Sequence, residues 1–464
     1  MTIISFIICL IIFIVIGILS NFKNKHTNID YLLAGHNIKP WLVALSAVAT
    51  NNSGYMFVGM IGYTYNVGLS SMWLLIGWVF GDFLASLFIH KRLRETSENE
   101  NAHSFASVLS RWHGNDYRKL RLTGGIITVA FLGTYASAQL NAGSKALHVL
   151  FGWDYSVGAI IGAVMVLLYC FSGGIRASIW TDAAQSFVMI FAMGLLVFVA
   201  IREIGSISQV IDSLREVSPI YLDFFPSDSL FGKIFGPILF VGSWIFAGFG
   251  VVGQPHVMVR FMAMDQPKNM KRVRFYYYSW YSLFCILTIS AGLLARLLLP
   301  TVDTFDAELA LPILSKQLLP EILVGIILAG LFAATMSTAD SQILSCSAAI
   351  TRDFINDKNT SYLMTKLSTV FVTVVALIIA LTGTESVFSL VIIAWSALAC
   401  AFTPLITVYA LGGKPSEKLA MFMMFIGLAT MMLWRYLGLN DTIYEVAPGV
   451  LVGLSAYWFL RKRV

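Results

Sequence analysis

The sequence TNNSG, residues 50–54, places five small or polar residues in succession near the middle of the apolar segment 41–65. A helix that crosses a bilayer should be apolar along its buried length, because a polar group without a partner in lipid is energetically costly. Irregular backbone at membrane depth is tolerated only where it is buried in protein or lines a cavity. The stretch therefore predicts a broken membrane helix beside a cavity.

The composition of the whole chain supports a membrane protein. Of the 464 residues, 58% are hydrophobic and 12% are charged, whereas a soluble domain carries about 25% charged residues. The mean hydropathy is +0.77. These values exclude a soluble enzyme, a disordered chain and a coiled coil. The five cysteines lie in apolar stretches without metal-ligand spacing, so we expect neither a disulfide framework nor a zinc site.

Thirteen stretches are long and apolar enough to cross a hydrocarbon core about 30 Å thick, which requires roughly 20 residues per helix. We predict them at residues 3–22, 41–65, 71–90, 122–148, 155–172, 180–201, 232–258, 276–299, 322–348, 366–383, 386–411, 417–438 and 444–460. They leave little of the chain for a separate soluble domain. The sequence thus predicts an all-α multi-pass membrane protein in which residues 1–464 form one transmembrane domain.

A second interruption lies in the segment 232–258, where three glycines and a proline occur within residues 248–255. This segment comes five places after the first interrupted one. Interrupted helices at corresponding positions of two halves indicate an inverted-repeat transporter. In that architecture residues 41–201 form the first repeat and residues 232–411 form the second.

Lys and Arg residues are distributed unevenly between the predicted loops. If the N-terminus is outside, 24 of the 31 Lys and Arg residues lie on the cytoplasmic side. Membrane proteins carry such an excess on that side, so we predict the N-terminus outside the cell membrane and the C-terminus in the cytoplasm. The net charge of +6 requires no nucleic-acid partner, because the excess charge lies where this rule places it.

The ninth segment concentrates hydroxyl groups and one carboxylate. Ala334, Ser337, Thr338 and Ser341 are spaced i, i+3, i+4 and i+7, so they share one helix face. Oxygen ligands of this kind suit a small hard cation. Asp340 lies about 60° away around the helix, and a carboxylate buried in a membrane is a functional candidate by default.

Simpler structural roles compete with cation binding. Single Ser and Thr residues in membrane helices more often bond to their own i−4 carbonyl group or to a neighbouring helix, and Asn51 and Asn52 can join helices in the same way. Asp182 is explained equally well as an N-terminal helix cap. We expect His256 and Arg260 to be solvated at the inner interface. Cation binding is favoured by the co-occurrence of the interruption, the hydroxyl face and the acidic residues.

Several motifs together resemble those of the sodium:solute symporters, and the pattern is closest to the sodium/proline branch. They cover nearly the whole chain: DYLLAG at 30–35, SG at 53–54, GGIRA at 173–177, WTD at 180–182 with Gln185, GQPH at 253–256, RFM at 260–262, and the stretch 334–342. The resemblance implies a LeuT-type core of five plus five helices. One extra helix, residues 3–22, would precede this core, and two more, within residues 417–460, would follow it.

The resemblance also implies a sodium site between the second and ninth segments. Its ligands would be the backbone carbonyl groups of Ala49, Asn52 and Ala334 and the hydroxyl groups of Ser337 and Thr338. Sodium is accordingly the expected co-transported ion.

Some members of that family hold a second sodium ion next to the first. The matching positions here, beside Ser337, are Asp182, Asp340 and Ser341. The solute is expected at the breaks in the second and seventh segments. The candidate solute-binding residues are Asn51, Tyr55, Tyr135, Trp244, Gln254 and Trp395.

The sequence predicts a symporter that couples inward sodium movement to the uptake of a small organic solute by alternating access. The solute is expected to be an amino acid such as proline or a related carboxylate. Departures from the proline-carrier pattern, such as Asn51 in place of an acidic residue, leave alternatives open: proton coupling, another solute class (pantothenate, a monocarboxylate or a sugar), or a transporter-like sensor. No HExxH, GxSxG or clustered His pattern indicates an enzyme.

Overall fold

The computed structural model describes residues 1–226, 232–299, 306–355, 360–382, 387–441 and 443–461. Within these ranges the secondary structure is helical, and the only β-type pairing is an isolated bridge between Ile38 and Met264. In the same ranges, nine helices are long and apolar enough to cross a membrane. The predicted all-α class is confirmed. The predicted end of the tenth segment, residue 383, and start of the eleventh, residue 386, lie outside the described residues.

The described residues form nineteen α-helices, which we number in chain order. The first ten are α1 Thr2–Ser20, α2 Asn28–Leu33, α3 Pro40–Phe57, α4 Gly59–Val67, α5 Met72–Ser86, α6 Ile89–Asn99, α7 Phe105–Arg111, α8 Arg118–Phe151, α9 Tyr155–Ile204 and α10 Ile207–Val217. The others are α11 Gly232–Phe249, α12 Pro255–Met262, α13 Met270–Leu298, α14 Ala310–Leu318, α15 Glu321–Ala348, α16 Tyr362–Thr382, α17 Val387–Ala410, α18 Glu417–Tyr436 and α19 Val446–Leu460.

Both predicted interruptions are present as breaks in the helices. In α3 the backbone leaves the helical conformation at Ser53, with φ 50° and ψ 178°, a combination that residues other than glycine rarely adopt. Between α11 and α12 the chain forms the 3₁₀ turn Gly250–Gly253. Pro255 is the first residue of α12, a position where its missing N–H group removes no intrahelical hydrogen bond.

The predicted fifth and sixth segments both lie in α9, a 50-residue helix that is kinked at Gly174. Gly174 has φ 56° and ψ −141°, and a Cβ atom there would collide with the carbonyl group of Tyr31. The second half of α9 therefore begins directly after Gly174, earlier than the predicted residue 180. Asp182 lies two turns inside this half, so its interpretation as a helix cap is wrong.

Helix α15 lies at the centre of the protein, almost entirely buried, and packs against α1, α3, α8 and α9. A second close pair is formed by α5 and α11. Their backbones approach so closely that a Cβ atom on Gly248 would collide with the carbonyl group of Trp78, and one on Gly81 with that of Ile245. Helix α12, which follows the break after α11, packs against α3, so the two breaks lie in the same interior region.

Candidate functional site

The hydroxyl face of α15 contacts the broken part of α3. The Thr338 hydroxyl group donates to the Thr50 carbonyl oxygen at 2.9 Å, and the Ser337 hydroxyl group donates to that of Ala49 at 3.2 Å. Both hydroxyl groups also lie 3.1 Å from the carbonyl oxygen of Ala334. Four of the five groups predicted for the first sodium site are thus brought together, and the Thr50 carbonyl group, which was not predicted, joins them.

The break in α3 explains why its carbonyl groups are available. In a continuous helix the N–H group of Gly54 would donate to the carbonyl group of Thr50. Here it donates instead to Oε1 of Gln139 on α8, at 2.8 Å. The carbonyl group of Asn52, the fifth predicted ligand, accepts no hydrogen bond from Ser337 or Thr338. Asn52 itself is buried.

The residues predicted for a second sodium site surround a guanidinium group. Nη2 of Arg260 lies 3.3 Å from Oδ2 of Asp182 and 3.3 Å from Oδ1 of Asp340. The same nitrogen contacts the hydroxyl groups of Ser178 and Ser341. All five side chains are fully buried. This cluster combines two carboxylates with one guanidinium, so its fully ionised form carries one excess negative charge.

The predicted solvated positions of Arg260 and His256 are wrong, since both side chains are 0% exposed. Helix α12 carries them into the interior behind the break at Gly250–Gly253. A buried guanidinium is stable only when partners compensate its charge, and Asp182 and Asp340 provide that compensation. The sequence shows neither partner, because each belongs to a different helix.

The two oxygen clusters are connected directly. The hydroxyl groups of Thr50 and Ser341 lie 3.0 Å apart, and the Ser46 hydroxyl group donates to Oδ2 of Asp182 at 2.6 Å. Helices α3, α9, α12 and α15 therefore share one continuous buried polar network. A change in the position of α3 would alter both clusters.

Aromatic rings gather on the other side of the α3 break, around Trp78 of α5. The ring centroid of Trp78 lies 4.8 Å from that of Trp395, 6.1 Å from that of Tyr55 and 6.2 Å from that of Trp244. Trp244 in turn stacks on Tyr444 at 4.4 Å. Three predicted solute-binding residues thus surround Trp78, which the sequence analysis missed together with Tyr444.

The other three predicted solute-binding residues line the same region. Tyr135 donates to the Ser53 hydroxyl group at 3.4 Å, and Gln254 donates to the carbonyl oxygen of Trp395 at 3.0 Å. Asn51 donates to the hydroxyl group of Tyr277 on α13 at 2.7 Å. All six candidates are buried. The structure therefore brings them together at the two helix breaks.

A cavity of about 280 Å³ adjoins this aromatic cluster beside Trp244 and Tyr444. Arg435, Asn440 and Glu445 contribute polar groups to its wall. Nη1 of Arg435 lies 2.9 Å from Oε1 of Glu445, whose side chain is almost completely buried. Glu445 and Tyr444 directly precede α19, inside the predicted crossing segment 444–460, and the sequence analysis gave them no role in binding. A carboxylate in the first turn of a predicted apolar segment was the available signal.

The fold of this chain is similar to that of solved multi-pass membrane proteins. A Na⁺-coupled sialic acid symporter in a substrate-bound outward-open state aligns with a TM-score of 0.84 and 18% identity, covering 100% of this chain and 97% of that one. The nucleobase-cation-symport-1 transporter Mhp1 aligns with a TM-score of 0.60 and 14% identity, covering 94% and 96%.

The profile of the Sodium:solute symporter family matches residues 31–427, and the chain belongs to this family. A high-affinity proline transporter of Bacillus subtilis is 29% identical over 450 residues, 95% of this chain and 93% of that protein. A sodium/proline symporter of Staphylococcus aureus is 28% identical over 481 residues, 99% and 92% of the two chains. The predicted family is confirmed, and with it sodium-coupled import of a solute by a transporter.

Proposed function

We propose that this symporter imports a small amino acid or related carboxylate together with sodium bound between α3 and α15. The observation that carries the proposal is the contact of Ser337 and Thr338 with the carbonyl groups of Ala49 and Thr50. Each hydroxyl oxygen can turn its lone pairs toward an ion in place of the proton it now donates. Oxygen ligands are the donors that hard cations prefer.

Sodium at this position would join a broken helix to the central helix. Ions held there would therefore favour the conformation in which α3 and α15 are in contact. A solute that binds the same conformation would bind more tightly with sodium present, and by linkage sodium would bind more tightly with solute present. Each sodium entering adds about 2.3 kcal/mol of driving force per 100 mV.

The solute class is supported by the residues at the breaks and by the relatives. Asn51, Gln254 and Tyr135 supply polar groups, and the rings around Trp78 supply apolar surface. This combination suits a compact solute with one apolar side and polar groups. The similar proteins of Bacillus subtilis and Staphylococcus aureus are proline carriers by name, which favours an amino acid over a sugar.

Asp182, Asp340 and Ser341 remain our proposed position for a second cation. The excess negative charge of the cluster favours such an ion. Arg260 is already a cation at this place, so it would have to move aside or share the carboxylates. We therefore expect weaker sodium binding here than at Ser337 and Thr338.

We also propose thirteen crossing segments, arranged as a five-plus-five inverted repeat with one helix before it and two after it. Nine described helices are long and apolar enough to span. The broken pair α3–α4, the long helix α8, the shorter helix α19 and the division of α9 at Gly174 supply the remaining four. The distribution of Lys and Arg favours an outside N-terminus.

Uptake into proteoliposomes tests the proposed function. The purified protein is assayed with a panel of radiolabelled amino acids, carboxylates, pantothenate and sugars, with and without an inward sodium gradient. We expect accumulation of an amino acid or carboxylate that requires the gradient and increases with a negative interior potential. Uptake indifferent to sodium would contradict the sodium site. Sodium-driven uptake of a sugar alone would agree with the sodium site and contradict the proposed solute class, an amino acid or related carboxylate.

A further inference from the structure

Asp82 of α5 is a membrane-embedded carboxylate that has no role in the sites described above. It lies one helical turn after Trp78, so the two side chains share a helix face. Its side chain is 0% exposed. Neither carboxylate oxygen makes a hydrogen bond of ordinary geometry to any described residue. A buried polar group without partners requires an explanation.

The groups that face Asp82 come from the neighbouring helices. From α13, Tyr277, Tyr278 and Tyr281 lie close to the carboxylate. Arg274 of α13 and His90 of α6 lie further along, next to each other. Residues 235–253 of the packed helix α11 and the turn after it contain no titratable side chain.

Several other buried carboxylates of this protein have a cationic partner, in contrast to Asp82. Asp30 pairs with Arg176, and Glu445 pairs with Arg435. Within the described part of the chain, no Lys, Arg or His residue forms an ion pair with Asp82, and neutral tyrosine hydroxyl groups do not compensate a full charge. A carboxylate that is buried without a compensating cation favours its neutral form, because burial disfavours the charge.

We propose that Asp82 is a proton-binding site in the wall of the solute pathway and carries a proton in this conformation. When the pathway is open, a hydronium ion gives H⁺ to the carboxylate oxygen: one O–H bond forms on Asp82, one O–H bond of hydronium breaks, and water is left. The reverse step returns H⁺ to water on release. Tyr277 connects this site to the α3 break. Its hydroxyl oxygen accepts a hydrogen bond from Asn51, which leaves its own O–H group free to donate toward Asp82.

Infrared difference spectroscopy of the full-length protein tests the protonation directly, without sodium or solute. The spectrum of Asp82→Asn at neutral pH is subtracted from that of the wild type. We expect the loss of one carboxylic-acid carbonyl band that shifts in D₂O. Asp30→Asn is the matched control, because Asp30 is equally buried but pairs with Arg176, and it should remove a carboxylate band instead.

The loss of a carboxylate band in Asp82→Asn would overturn the proposal. If that variant fails to fold, Asp82→Glu serves in its place, and the acid band should move rather than disappear; an unmoved band would count against Asp82. The pH profile of uptake is a second readout, which does rest on the proposed function. Wild-type uptake should decline at alkaline pH, and this decline should be lost in Asp82→Asn. Identical profiles would overturn the placement of this proton site in the solute pathway.

Discussion

Arg260 and Asp340 form an ion pair in which neither side chain has any exposed surface, with Nη2 of the guanidinium 3.3 Å from Oδ1 of the carboxylate. The guanidinium lies at the same distance from Asp182. Arg260 thus joins α12, which follows one broken helix, to α9 and to the central helix α15. The positive charge of Arg260 therefore lies where the sequence predicts a second sodium ion.

Replacing Arg260 by Gln should destabilise the protein strongly. Removing one partner of a buried ion pair leaves an uncompensated charge and costs about 3–5 kcal/mol. Thermal unfolding of the purified protein in detergent measures the loss. Arg215→Gln is the control, because Arg215 pairs with Asp212 on the surface, with exposed fractions of 68% and 65%, where ion pairs contribute about 0–1 kcal/mol.

The addition of Asp340→Asn to Arg260→Gln should recover part of the lost stability, because the second change removes one of the uncompensated carboxylates. When two neighbouring residues interact in this way, the effects of their substitutions on the free energy of unfolding do not add. Equal melting temperatures for Arg260→Gln and Arg215→Gln, or strictly additive effects in the double variant, would contradict the buried network.

Loss of a hydroxyl group at the proposed first sodium site should weaken sodium binding. Ser337→Ala or Thr338→Ala removes an interaction with a charged partner, which is worth about 1.5–3 kcal/mol. The sodium concentration for half-maximal uptake should therefore rise about tenfold or more. Ser345→Ala is the control on the same helix, because the Ser345 hydroxyl group has no hydrogen-bond partner among the described residues. Unchanged sodium dependence in both site variants would refute the site.

The kink in α9 should depend on glycine at position 174. In Gly174→Ala, a residue with a side chain would have to adopt φ 56°, ψ −141°. Its Cβ atom would also collide with the backbone of Tyr31. The backbone strain alone costs about 1–3 kcal/mol. Gly194→Ala, in the same helix, meets nothing within 4 Å and should keep or raise stability. The folded yield and the melting temperature of Gly174→Ala should be lower than those of Gly194→Ala. Equal values for the two variants would contradict the kink.

Glu445 should affect solute binding more than sodium binding. Its carboxylate pairs with Arg435 and accepts a hydrogen bond from Ser396, in the wall of the cavity beside Trp244. Glu445→Gln should raise the solute concentration for half-maximal uptake severalfold. Arg435 loses its compensating charge, so the side chains of the cavity wall are held less firmly in place. The sodium concentration for half-maximal uptake should stay close to the wild-type value.

The control for this variant is Glu417→Gln. Glu417 accepts a hydrogen bond from the backbone N–H group of Lys119 at 2.7 Å, in a different part of the protein, and a glutamine can accept the same bond. Both half-maximal concentrations should remain unchanged there. A Glu445→Gln variant that resembled Glu417→Gln in the solute titration would show that the cavity takes no part in binding.

Sequence reasoning located the breaks in α3 and after α11 because polar and glycine-rich stretches inside apolar segments have few physical explanations in a membrane. It placed the hydroxyl groups of Ser337 and Thr338 on one face of α15 because helical periodicity fixes that face. It misplaced Arg260 because a basic residue beside an apolar segment ordinarily lies in the solvated interface. It gave no role to Trp78, since a single aromatic residue in an apolar segment is unremarkable.

The amino-acid sequence by itself determined the membrane class, the positions of the helix breaks and the hydroxyl face, because burial in lipid and helical geometry act on each segment locally. The tertiary structure decided which groups meet: the carbonyl group of Thr50 with Thr338, Arg260 with two carboxylates, and Asp82 with tyrosines instead of a cation. Periodicity fixes the face that a helix presents, but the partner of that face depends on how distant helices pack. Charge compensation inside the membrane is therefore a property of the packed fold.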